Sequence, residues 1–189
     1  MRILIATDAW SPQVNGVVRS LQSLAANARK LEAEIEFLTP EGFRTFPLPT
    51  YPSIRCGIPS WREIARRIEF AAPDALHIAT EGPIGHSVRR YCLARKISFT
   101  TSYMTRFPEY VSARLPVPLS WSYAVLRRFH AAAAVTMVST RSLLEELGIA
   151  ALRIWRRGRA VSIPTSSGPS APQRSICPAR YSSASGGSR

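Results

Sequence analysis

Short runs of β-forming residues alternate with helical patterns along most of this chain, and a chain built that way has few folds open to it. Ile3-Leu4-Ile5-Ala6 is the first such run. The chain then meets Asp8, crosses a turn-rich stretch containing Pro12 and Asn15-Gly16, and enters a helical pattern over 17–31 with Val17, Leu21, Leu24, Ala25, Ala28 and Leu31 on one stripe. Glu34 to Thr39 reads as the next strand, and Ile54 as a short third one inside a Pro-rich stretch from Phe43 to Pro59. Ser60 with Glu63 three residues on forms a capping-box pattern, opening a helix from Trp61 to Ala71 whose apolar stripe is Trp61, Ile64, Ala65 and Ile68. Strands are predicted at 74–80, 97–101 and 132–138, and helices at 86–95, 119–130 and 140–147. Repeated β then α units of this kind specify an α/β fold, a doubly wound, mostly parallel sheet.

In such a sheet a ligand sits outside the carboxyl ends of the strands, so the loops there carry the chemistry. Three qualify: Asp8 to Gly16, Glu81 to Gly85, and Tyr103 to Tyr110. Asn15-Gly16 precedes a helix, where unpaired backbone N–H groups favour an anion and a residue without Cβ lets backbone approach a phosphate. The same pair also serves as an ordinary turn and helix cap.

The 189 residues, 46% of them hydrophobic, suit one domain with a sizeable core. From Arg159 onward about half of the positions are Ser, Pro or Gly and none is acidic. Such a segment buries too little to offset its ordering entropy, so residues 1–158 are expected to form the domain and 159–189 a disordered tail.

The net charge of +13 is almost wholly arginine, since Lys30 and Lys96 are the only lysines among 25 basic residues. It invites an anionic partner. The arginines are scattered and no nucleic-acid motif accompanies them, so no nucleic acid is expected; an anionic membrane surface or a sugar nucleotide serves the charge equally well. Cys56, Cys92 and Cys177 lie far apart, with no C-x-x-C spacing, which indicates neither a disulfide framework nor a zinc site. A cytoplasmic protein, peripheral at the inner face of a membrane if it meets one, is the expectation from the absence of a signal-peptide core or a spanning stretch.

The opening T-D-x-W-x-P-x-x-N-G-V-V-R (Thr7 to Arg19), H-I-A-T-E-G-P-I-G (His77 to Gly85), T-S-Y-M-T-R-F-P-E-Y (Thr101 to Tyr110) and Val-Ser-Thr at 138–140 together resemble family 4 glycosyltransferases, near their α-mannosyltransferase and sulfoquinovosyltransferase branch. The resemblance spans nearly all of residues 1–158. It implies the Rossmann-like, acceptor-side half of a two-domain GT-B enzyme that transfers sugar from a nucleotide donor, GDP- or UDP-linked, to a lipid or glycan acceptor with retention. No catalytic metal and no cofactor are implied. Asn15 and Gly16 would face the donor diphosphate, with Asp8, Arg19, Tyr103 and Arg106 as further binding residues.

Two departures stand out. The family's Y-H-T histidine falls at Met104, whose thioether neither holds a proton nor donates a hydrogen bond, and Glu81 is the best remaining polar candidate for the reaction. The family's second domain, with an E-x7-E pair of donor-binding acids, is replaced after Arg156-Arg157-Gly158 by the serine-proline tail, as in a truncated or frame-shifted copy. Autonomous catalysis is then not expected. The rival is a non-catalytic anion- or partner-binding module. A nucleotide-cofactor oxidoreductase and a P-loop ATPase are disfavoured, because neither G-x-G-x-x-G nor G-x-x-x-x-G-K-[ST] occurs where it should.

Overall fold

The computed structural model describes residues 1–13, 15–48, 51–104, 118–138, 153–156 and 159–162. Its elements are β1 (Arg2–Ala6), α1 (Gly16–Ala28) running into a 3-10 turn (Arg29–Leu31), β2 (Glu34–Leu38), β3 (Arg44–Leu48), β4 (Tyr51–Ile58), α2 (Trp61–Ala71), β5 (Ala75–Ile78), α3 (Pro83–Arg95), β6 (Thr100–Tyr103), α4 (Leu119–His130), β7 (Val135–Val138), β8 (Arg153–Arg156) and β9 (Arg159–Ser162). Five strands make one parallel sheet in the order β2-β1-β5-β6-β7. This is the α/β architecture that the alternation predicts.

Alternate residues of the strands face opposite layers, as a two-residue period requires. Leu4 and Ala6 of β1 and Leu76 and Ile78 of β5 share a core with Ile64, Ile68 and Ala71 of α2, Ile84 and Val88 of α3, and Phe129 of α4. Ile5 and Ala79 face the other way, onto Leu21 of α1, with Trp10, Val17 and Phe37 packed around them. Burial of each such aliphatic side chain is worth about 2 kcal/mol. The helices therefore sit where the apolar stripes send them.

The capping box of α2 forms as read: the Glu63 carboxylate accepts from the Ser60 N–H (3.2 Å) and hydroxyl (2.7 Å), and the Glu63 N–H donates to Ser60 Oγ (3.2 Å). Several boundaries move. The first helix ends at Ala28, and Leu24 and Leu31, assigned to its apolar stripe, are 49% and 80% exposed while Val18 is buried. Ile54 does not lie in a lone strand; β3 and β4 pair antiparallel as a hairpin outside the main sheet, which tolerates Pro47 and Pro52 because a two-stranded ribbon has free edges. The third helix starts at Pro83, a residue suited to a first helical position, and not at His86.

The strand predicted at 97–101 runs from Thr100 to Tyr103, so Tyr103 belongs to β6 and not to the loop after it. The seventh strand begins at Val135. The helix predicted at 140–147 lies outside the described residues. β8 and β9 pair antiparallel, so the compositional boundary between 158 and 159 falls inside a strand pair. No helix among the described residues is long and apolar enough to cross a membrane.

Candidate functional site

From β1 the chain steps to β2 on one side, while β5 lies on the other, which makes the gap between the carboxyl ends of β1 and β5 the crevice where the winding direction reverses. The loops beginning at Thr7 and Ala79 meet there. What joins them is Asp8. Its Oδ1 accepts from the Ile84 N–H (2.8 Å), and its Oδ2 accepts from the Gly85 N–H (3.2 Å) and the Thr80 hydroxyl (3.0 Å), while its own N–H donates to Thr80 Oγ1 (2.7 Å). Asp8 thus caps α3 from a loop 76 residues away, its negative charge set against the positive end of that helix.

Burial raises the Asp8 pKa, opposed by the Ile84 and Gly85 N–H groups and the Thr80 hydroxyl, with Glu81 adding a further upward push. Read from the sequence as a diphosphate contact, Asp8 has both carboxylate oxygens engaged by the protein. The backbone must come very close to make this clamp. A Cβ on Gly82 would stand 2.3 Å from Asp8 Cγ, and one on Gly85 2.0 Å from the Thr80 carbonyl oxygen.

Replacing Asp8 with asparagine keeps one acceptor and turns an NH2 toward a backbone N–H. A buried donor left without a partner costs 1–3 kcal/mol, so Asp8→Asn is expected to lower stability by about 2 kcal/mol in urea unfolding. The sign of its pH dependence follows from the raised pKa. Stability from Asp8 is fully present below the ordinary aspartate range and is lost as pH rises through the higher folded value, so the gap between wild type and Asp8→Asn is widest near pH 3 and narrows toward neutrality.

Asn15 caps α1, its Oδ1 accepting from the Val18 N–H at 3.0 Å. Gly16 is exposed, and no atom lies within 4 Å of where its Cβ would be; its smallness answers to no internal contact and leaves the helix end open to an approaching group. Arg19 stands exposed on the following turn. These three sequence-predicted residues do fall together at one helix N-terminus. Tyr103 does not join them, being fully buried in β6 with its ring edge-on to His130 at 5.9 Å. Met104 follows it, half-buried at the strand's end. Arg106 lies outside the described residues.

Glu81 lies in the loop between β5 and α3. Its Oε1 is 3.2 Å from Nε2 of His130, the last residue of α4; the Glu81 side chain is 11% exposed and the His130 side chain 0%. His130 Nδ1 is 3.0 Å from Thr101 Oγ1, and that hydroxyl is 2.8 Å from Thr136 Oγ1. His130 escaped the sequence reading because its partner lies 49 positions upstream; the one available signal was a histidine closing a helix whose length points it back at the sheet.

His77, on the face of β5 opposite this chain, is pinned between Thr100 Oγ1 and Ser102 Oγ, both at 2.8 Å, and burial lowers its pKa to about 4. It is a neutral structural histidine. The His86 ring lies edge-on to Phe129 at 4.7 Å. Beside the crevice, a groove of about 310 Å³ opens between the loop after β1 and the loop after β2, with Trp10, Pro12, Gln13, Phe43 and Arg55 in its walls. Among the described residues no group of three or more His, Cys, Asp or Glu could hold a metal ion.

The family described as Glycosyltransferase Family 4 matches residues 14–162. Over 180 residues the chain is 23% identical to a GDP-mannose-dependent alpha-mannosyltransferase of Mycobacterium tuberculosis (strain CDC 1551 / Oshkosh), covering 84% of this chain and 47% of that protein. Over 186 residues it is 26% identical to a protein of the same description from Mycolicibacterium smegmatis (strain ATCC 700084 / mc(2)155), covering 86% and 48%. The chain spans about half the length of the curated relatives it matches.

Proposed function

The chain belongs to glycosyltransferase family 4, and from that premise we propose that it is the acceptor-side half of a retaining mannosyltransferase, one that moves mannose from a GDP-linked donor to a lipid or glycan. The observation that carries this reading is the crevice itself. An open α1 N-terminus with Asn15, Gly16 and Arg19 stands on one side and Glu81 on the other, across a gap that the Asp8 clamp holds in shape. Backbone N–H groups at Gly16 and the Arg19 guanidinium meet the diphosphate, and Glu81 takes a hydrogen bond from a hydroxyl of the donor sugar in place of the histidine that Met104 supplants.

A lipid acceptor and peripheral membrane contact find support in Trp121 and Val125 of α4, 70% and 57% exposed beside Arg127 and Arg128. The reading places the protein on the cytoplasmic side.

A backbone-amide NMR titration of the chain with GDP-mannose tests this. Amides of Gly16 to Arg19 and of Glu81 and Gly82 are expected to shift saturably, and Gly16→Trp, which fills the open space, to abolish the change. Shifts confined to other regions, or none, would sink the reading. The second reading, a non-catalytic module that keeps the anion site, is favoured at one position only, Met104; it requires the same titration to respond equally to GDP and to inorganic pyrophosphate, with no contribution from Glu81.

A further inference from the structure

We propose that His130 is the positioning residue of Glu81, acting through a hydrogen-bond chain whose direction is set by the carboxylate at its surface end. The inference rests on the reading of Glu81 given above. Four residues from four places in the chain line up: Glu81 after β5, His130 at the end of α4, Thr101 in β6 and Thr136 in β7. An ionised carboxylate only accepts, so His130 Nε2 donates to Glu81 Oε1; a neutral ring then accepts at Nδ1 from Thr101, whose oxygen in turn accepts from Thr136. Phe129 and Tyr103 stand edge-on to the ring at 5.1 and 5.9 Å.

His77, held between two hydroxyls on the other face of the sheet, serves the fold alone; the His130 row differs in ending on a carboxylate. His130, Thr101 and Thr136 are 1%, 0% and 3% exposed, and apolar residues of like volume would fill their places without needing partners. The row terminates at the one member that reaches the surface, at the carboxyl ends of the strands. A buried histidine that fixes one carboxylate oxygen aims the other, which is how an underlying hydrogen bond holds a substrate-facing group in place.

The test uses the 189-residue chain with its histidines labelled with 15N. The long-range proton–nitrogen spectrum of His130 is expected to show the Nε2–H tautomer. In the GDP-mannose titration, His130→Leu is expected to weaken binding roughly tenfold, as Glu81→Gln does, with little further loss in the double variant, whereas His130→Gln, which keeps an N–H toward Glu81, recovers to within about threefold. An Nδ1–H tautomer overturns the proposal. So does wild-type binding by His130→Leu alongside weakened binding by Glu81→Gln, an outcome that leaves the reading of Glu81 standing. No effect of Glu81→Gln, or no response to GDP-mannose at all, overturns that reading and the role of His130 with it. Should His130→Leu fail to fold, Thr101→Val decides, since it keeps volume and removes the hydroxyl that holds the ring from behind at Nδ1; affinity equal to wild type overturns the proposal.

Discussion

Gly85→Ala is expected to destabilise the domain by about 3 kcal/mol, at the upper end for an overpacked site, and to lower its melting temperature by roughly 6–12 °C. The added Cβ would lie 2.0 Å from the backbone oxygen of Thr80 and 3.1 Å from Ile78 Cγ2, and the carbonyl is not the far end of a flexible side chain that can swing away. To relieve the clash α3 must retreat from β5. Retreat pulls the Ile84 and Gly85 N–H groups off the Asp8 carboxylate and lifts Ile84 and Val88, both 0% exposed, from the core. Gly16→Ala is the matched control. Nothing lies within 4 Å of its Cβ position and its φ is not positive, so the same change there leaves stability unchanged or raises it by about 0.5 kcal/mol, through a less flexible unfolded chain. Thermal unfolding of both variants checks the pair, and equal melting of Gly85→Ala and wild type would mean that the crevice is not held by this contact.

The two glycines show how far the sequence could be read. Gly16 and Gly85 look alike in it, each a small residue near a helix start. Only the path of the neighbouring chain separates a glycine that leaves room for a ligand from one that leaves room for the protein. Local signals were legible: the Ser60–Glu63 pair announced its own helix because cap and partner lie three residues apart, and Asn15 marked the start of α1 for the same reason.

Signals that depend on remote partners were not. Ile97 and Phe99 carry β-forming side chains, yet Lys96 adopts the left-handed conformation that ends α3 and the Ile97 N–H donates to the Cys92 carbonyl (2.8 Å). The chain is still leaving the helix there, and β6 cannot begin until Thr100. That slip moved Tyr103 from the site into the core. The ends of α2 at Ala71 and of α3 at Arg95 were read correctly without a glycine, although Ala72 and Lys96 take the left-handed conformation that usually calls for one. Asp8 as the cap of α3 and His130 as the partner of Glu81 are products of topology, and each was visible only as a polar residue of the right kind near the right end of the sheet.

Lowering the pH from 7 to 4 is expected to remove up to about 3 kcal/mol of stability through His77 alone. Its ring is 7% exposed and held at both nitrogens, by Thr100 and Ser102, in a bonding pattern that suits the neutral form, in which one nitrogen donates and the other accepts. Burial brings its pKa to about 4 from an ordinary value of 6.5. A histidine depressed in the folded state contributes stability that is fully present above its unfolded pKa and is lost as pH falls through the folded value, so the window runs from 6.5 down to about 4. Asp8 works in the opposite sense, its raised pKa adding stability as pH falls, and the two must be separated. Urea unfolding of wild type and His77→Gln across that window does so, because Asp8 titrates identically in both and cancels in the difference. The variant starts less stable at pH 7, where its amide meets the two hydroxyls less well, but loses less on acidification. The difference between the two curves should therefore shrink by about 3 kcal/mol between pH 7 and 4. Parallel curves would show that His77 accepts its proton in the folded protein without penalty, and the closed, dry face between β5 and β6 on which the neutral assignment depends would have to be abandoned.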